Sequence, residues 1–260
     1  MQLKHQPTEQ LKQTPHIVAF LDFLGASEKM RDPAKNDKFL QEINAVYKFA
    51  QDMHEQNDGK LSDRFKIKIF SDNIVVSEEI ENIENPRSVL QAYTDVEQLS
   101  LIMDIDALLN KNVIRGAIAI GELYMDDVFV FGNGLLDAYE GESKKANYPR
   151  IIVDNKVRTI LPLPDKENII QCDVDDELYL SPFWGIQKIT NGDILKANLK
   201  LWSIHDFIIN EYKYLLAENK ESVLSKYHWL ADQFNQYCQN NNFNFQIDLD
   251  KLTLEGKNEI

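Results

Sequence analysis

Cysteine is nearly absent from the 260-residue chain, which holds only Cys172 and Cys238, far apart and in no metal-like spacing. Two such thiols exclude a disulfide framework and a cysteine-based zinc site. Positive charge is also scarce: 28 lysines and arginines face 42 aspartates and glutamates, a formal net charge of -14. A protein that coats DNA or RNA needs cationic surface, so no nucleic-acid partner is expected. Nucleotides held through metal ions stay open as small ligands. No apolar run approaches the roughly 18 residues of a membrane span, and the polar start MQLKHQPTEQLKQTPH is no secretory signal. A cytoplasmic protein without a membrane partner is therefore expected. The ten glycines form no Walker loop and no GxGxxG, and neither GxSxG nor HExxH occurs. The five histidines, at 5, 16, 54, 205 and 228, fall in no ligand spacing.

What is present is core. Hydrophobic residues make up 43% of the chain, including 13 Phe, 10 Tyr and 3 Trp, ample for a packed domain. Residues 1–15 are polar and read as a flexible leader. Residues 16–24 (HIVAFLDFL) form an apolar run of strand length, broken by Gly25. Helical spacing of Phe39, Ile43 and Val46 predicts a helix over 36–53. The segment 65–77 (FKIKIFSDNIVVS) reads as a hairpin turning at Ser71-Asp72-Asn73. Pro86 opens a second helix, with Val89, Tyr93 and Val96 in register. Strands follow over 113–123 and 128–131, then a helix from Gly132-Asn133-Gly134 to Lys145, then a short strand over 151–153. The order β-α-β-β-α-β-β-α-β suits an antiparallel or mixed sheet backed by helices on one face. Beyond it lie a loop-rich stretch over 162–182, whose acidic run at 172–177 reads as solvated surface, and two apolar-striped helices.

Two acids stand out. Asp22 sits inside VAFLDFLG, where an unpaired ionised carboxylate costs several kcal/mol. Asp72 sits in the bend of an otherwise apolar hairpin. A βαββ arrangement lays the first strand beside the hairpin, so the two could converge. Two carboxylates about 5 Å apart repel by roughly 3 kcal/mol at an effective dielectric near 20. A divalent cation converts that penalty into binding energy, and hard oxygen ligands suit magnesium or manganese. Taken singly, Asp22 can equally cap the next helix and Asp72 can equally serve as a turn former.

LDFLG, SDN between two strands, IRGAIAIGEL, FGNGLLDAYEGE and YPRIIVD, in that order, resemble the catalytic domain of class III nucleotidyl cyclases. The wording GLLDAYEGE, ANYPRIIVD and the later KYHWLADQFN is most similar to the bacterial pyrimidine cyclases of Pycsar anti-phage defence. The resemblance implies an α+β fold, a ferredoxin-like βαββαβ nucleotidyl cyclase domain with a helical C-terminal extension. With the resemblance, the catalytic domain is expected at 16–160; composition and periodicity set the leader at 1–15 and a loop-rich segment with C-terminal helices, packed on the same domain, at 161–260. The resemblance implies that Asp22, Asp72 and the carbonyl of Phe23 hold two divalent ions, Mn2+ or Mg2+. Arg115 would bind the triphosphate, and Lys68 and Phe129 would read the base; apart from the resemblance, Gly25 and the helix start after it offer backbone N–H groups to the triphosphate. An apolar Phe129 cannot hydrogen-bond a purine edge, which is compatible with a pyrimidine. Leu136 and Glu140 stand where the purine enzymes place a transition-state Asn and Arg. The implied activity converts UTP to 3′,5′-cyclic UMP and pyrophosphate, as a second messenger for a downstream cyclic-nucleotide-sensing effector. The implied assembly is a homodimer with active sites at its interface. The alternatives are a cytidylate cyclase using CTP, a palm-type nucleotidyltransferase, and a cyclase-homology module that binds nucleotide without turnover.

Overall fold

The structure, a computed structural model, describes residues 11–56, 64–161 and 169–258. Residues 1–10 of the expected leader lie outside the described residues, and the first strand, β1 (Thr14–Phe23), begins two residues before the expected start. Its apolar run is continuous because both of its faces are covered, the signature of a central strand. Ile17, Ala19, Leu21 and Phe23 face one core, and Val18 and Phe20 face another.

A short helix, α1 (Ala26–Arg31), and a long one, α2 (Asn36–Gln56), lead to the hairpin of β2 (Phe65–Phe70) and β3 (Asn73–Glu79). Helix α3 (Pro86–Leu109) begins with Pro86 inside its first turn, and the Asn85 side chain accepts from the Arg87 N–H as a cap. It returns the chain to β4 (Ile114–Met125), which runs antiparallel to β1. The order β2-β3-β1-β4 is antiparallel throughout, with helical crossovers from β1 to β2 and from β3 to β4. This is the ferredoxin-like split βαβ arrangement. Helices α2 and α3 cover one face, through Phe39, Ile43, Val46, Val89, Tyr93 and Val96.

The expectation of helices on a single face needs correction. After the short β5 (Val130–Phe131), α4 (Asn133–Lys145) packs on the opposite face, where Ala138 meets Val18, Phe20, Val75 and Ala119. That second apolar face of the central strands would otherwise be left in water. The approach is close: a Cβ on Gly121 of β4 would lie 2.8 Å from the Gly134 backbone of α4.

Strand β6 (Ile151–Val153) then adds parallel to β4, and α5 (Asn155–Ile160) follows it. The hairpin β7 (Ile170–Cys172) and β8 (Leu178–Leu180) completes the sheet beyond β6. The acidic run at 172–177 is largely at the surface, as expected, with Val174, Asp175 and Asp176 exposed; Asp173 is the exception. The run is the turn of that hairpin, and its Asp173 and Asp175 grip the fully buried Arg150. A buried guanidinium needs carboxylates, and the turn supplies them.

The chain closes with α6 (Gly185–Thr190), α7 (Ile194–Ala217), α8 (Glu221–Asn240) and α9 (Leu249–Asn258). Leu201, Ile204, Ile208, Leu230 and Phe234 of α7 and α8 share one apolar cluster with Ala117, Ile152 and Tyr179 of the sheet. His205 and His228 are packing residues of these helices: His228 Nε2 lies 2.9 Å from the Tyr212 hydroxyl, and His205 Nε2 lies 3.2 Å from the Gln246 carbonyl. Among the described residues no helix is long and apolar enough to cross a membrane.

Candidate active site

Register decides what surrounds Asp22. It stands opposite Asn73 on β3 and opposite Arg115 on β4, at the end of the central strand. The hairpin turn holds Ser71 with φ 59 and Asp72, immediately before Asn73. The Phe23 N–H donates to the Asp72 carbonyl at 3.3 Å, which stitches the end of β1 to the turn. Both carboxylates therefore line one cavity of about 770 Å3, together with Phe23, Gly25 and Arg115. Gly25 takes φ 76, a left-handed turn natural to glycine, ahead of a helix of only six residues.

Around Asp22 the charges alternate. Arg115 Nε donates to Asp22 Oδ2 at 3.2 Å. Its Nη2 lies 2.7 Å from Glu142 Oε1 of α4, an ion pair by distance rather than an aligned hydrogen bond. Burial raises the Asp22 carboxyl above its ordinary range; Arg115 opposes the shift and the Asp72 charge adds to it. Glu142 is raised in the same way, by burial first, with Arg115 opposing and Asp22 adding. On α8, Lys226 is lowered by burial and by Arg115, against the pull of Asp22 and Glu142.

Sequence reasoning missed Glu142 and Lys226. The signal for Glu142 was the same as for Asp22, an acid on an apolar stripe, four residues after Ala138. Lys226 lies four residues before Leu230 on the buried side of α8. Periodicity places it there, but nothing in the sequence says which cavity that side meets.

The rest of the cavity wall is unusual for so acidic a chain, with seven basic against five acidic side chains. Helices α1, α2 and α8 and the chain beside them bring most of the lysines in, which suits a polyanionic ligand. The two carboxylates and the Phe23 main chain are hard oxygen donors of the kind that magnesium or manganese takes alongside substrate phosphates. Burial first, and the Asp72 charge in smaller part, penalise the ionised form of Asp22, and a bound cation would offset both. Among the described residues no group of three or more His, Cys, Asp or Glu side chains is arranged around one metal position.

Lys68 and Phe129 are not brought to this cavity. Lys68 Nζ donates to the Asp126 carbonyl at 2.8 Å, and Lys66 Nζ donates to the Met125 carbonyl beside it. Phe129 is 43% exposed and packs on the Tyr124 ring at 5.3 Å. The two expected base readers thus gather at the β4–β5 turn, apart from the acids.

No family model matches the chain, and no curated protein matches it in sequence. Two solved structures are similar in shape. One is the adenylyl cyclase CyaB from P. aeruginosa, with 14% identity and a TM-score of 0.45 over 66% of this chain and 95% of that one. The other is a class III adenylyl cyclase-like ATP-binding protein from Pseudomonas aeruginosa, with 11% identity and a TM-score of 0.44. That match covers 83% of this chain and 48% of the other. Both likenesses are too distant to transfer an activity.

Proposed function

We propose that the chain is a nucleotidyl cyclase that converts a pyrimidine nucleoside triphosphate, UTP before CTP, to its 3′,5′-cyclic monophosphate and pyrophosphate. The observation that carries this reading is the meeting of Asp22, at the end of β1, and Asp72, in the β2–β3 turn, on one cation-walled cavity. The excess of basic over acidic side chains on the wall attracts the triphosphate. Arg115, fixed between Asp22 and Glu142, keeps the acid at the strand end in place. Mg2+ or Mn2+, held by Asp22, Asp72 and the Phe23 carbonyl, would supply Lewis acidity toward the ribose 3′-hydroxyl and the leaving pyrophosphate. A bond forms from the 3′-oxygen to the α-phosphorus while the α-phosphorus–oxygen bond to the β-phosphate breaks. The electron pair leaves with pyrophosphate, and the hydroxyl proton passes to solvent.

The preference for a pyrimidine rests on Phe129 and on Lys68, whose ammonium is engaged by a main-chain carbonyl. Their distance from the acids supports a homodimer in which each site joins the acids of one chain to the base readers of the other. The cyclic product would act as a second messenger in anti-phage defence, read by a separate effector.

Purified protein with manganese should cyclise UTP, and Asp72→Asn should lower turnover at least about 10²-fold with the fold retained. If none of the four nucleoside triphosphates is cyclised, the reading is wrong; product analysis with labelled UTP and CTP decides the base. One observation favours the alternative of a module that binds nucleotide without turnover: Asp22 is already paired with Arg115. Triphosphate binding with no product from any substrate would establish that alternative.

A further inference from the structure

Arg115 is the cation nearest the acids, yet its guanidinium is shared between Asp22 at 3.2 Å and Glu142 at 2.7 Å. Its charge is therefore spent within the protein. Most lysines of the cavity are engaged as well. Lys220 pairs with Glu28 at 2.6 Å, Lys38 with Glu42 at 3.4 Å and Lys35 with Asp32 at 3.5 Å, and Lys29 donates to Asn112 at 2.6 Å. Lys226 differs from all of these. It is half-buried, it lines the same cavity, and among the described residues it makes no hydrogen bond or ion pair.

Its backbone is firmly held. One turn further along α8, Trp229 donates through Nε1 to Asp173 at 2.8 Å and stacks on Tyr148 at 5.7 Å between ring centres. Asp173 grips Arg150, whose carbonyl accepts from the Gly116 N–H at 3.1 Å, next to Arg115. A chain of contacts thus ties α8 to the β4 residue that faces Asp22. An ammonium held in place, partly desolvated and without a direct hydrogen bond or ion pair among the described residues, is a strong donor site for a phosphate anion.

We infer that Lys226 is the phosphate-contacting cation of this cleft, delivered to the sheet's acids by the C-terminal helix α8. This rests on the proposed function and names the group that meets the non-bridging oxygens of the triphosphate. It also gives the C-terminal helices a part in the site beyond packing.

The test uses the full chain, with turnover of UTP and binding of 3′-deoxy-UTP, which lacks the attacking hydroxyl, both with manganese. Lys226→Gln should weaken binding at least about tenfold and lower kcat/KM about 10²-fold or more, while Lys226→Arg should recover most of both. A thermal melt like that of the unaltered protein would confirm that the glutamine variant folds. Active parent protein with a glutamine variant within threefold of it in both readouts would overturn the assignment and leave the cyclase reading standing. Inactive parent protein that binds 3′-deoxy-UTP, with binding lost in Lys226→Gln, would uphold the assignment and remove the cyclase reading. Parent protein that neither binds nor turns over a triphosphate would remove both.

Discussion

Asp22 and Glu142 are carboxylates set into apolar stripes, one on a strand and one on a helix, and both meet the same guanidinium. Asp104 shows that burial alone does not make a site. It is fully buried in α3, its Oδ2 has no hydrogen-bond partner among the described residues, and burial pushes its carboxyl well above the ordinary range. Burial favours its neutral form, and no charged neighbour contributes to the shift. What separates Asp22 from Asp104 is the company of opposite charge. The two thiols divide by the same physics. Cys172 is exposed, whereas Cys238 is buried and its thiol is pushed up to about 12. A thiol reagent at pH 8 should modify one cysteine rapidly in the folded protein and the second only after unfolding. Rapid modification of both would contradict the packing of α8.

Among the elements, α8 depends most on a contact that the sequence hides. Arg150 immediately precedes β6, yet its side chain is fully buried between Asp173 and Asp175 of the β7–β8 turn, with the Tyr148 and Tyr179 rings beside it. Arg150→Met should destabilise the protein by about 3–5 kcal/mol, because it leaves Asp173 largely buried without its counter-charge. Chemical denaturation would measure the loss. A double variant, Arg150→Met with Asp173→Asn, should recover part of it, since the stranded charge is then gone. Loosening this clamp should also lower triphosphate affinity, because Trp229 and Lys226 share α8. Most long elements were legible beforehand, since β1, α2, α3, β4, α4, α7 and α8 announce themselves through periodicity. The six-residue α1, α5 and α6 and the three-residue β7 and β8 are too short to carry a period, and contacts from elsewhere in the chain hold them in place.

At the scale of the whole molecule, the α4 side of the sheet is only partly covered. Phe131 is 62% exposed and Leu136 54%, and with Phe70 and Tyr139 they line a second cavity of about 660 Å3. Lys68 and Phe129 stand on the same side, at the β4–β5 turn. The proposed dimer buries this face, so Leu136→Asp should convert a dimer to a monomer in sedimentation, with the secondary structure unchanged. Turnover should fall together with the dimer, because each site then loses its base readers. A parent protein that sediments as a monomer while fully active would remove the shared-site proposal.

Local sequence was enough for the strand and helix periods and for the suspicion attached to Asp22 and Asp72. These are consequences of neighbouring residues along the chain, where spacing and composition act directly. Tertiary structure alone decided that Arg115 is shared between Asp22 and Glu142, that the exposed acidic turn also clamps Arg150, and that α8 brings Lys226 to the cleft. Each of those pairs residues far apart in sequence, and a charge is stabilised by whatever lies within a few ångströms of it, which only the packed chain determines.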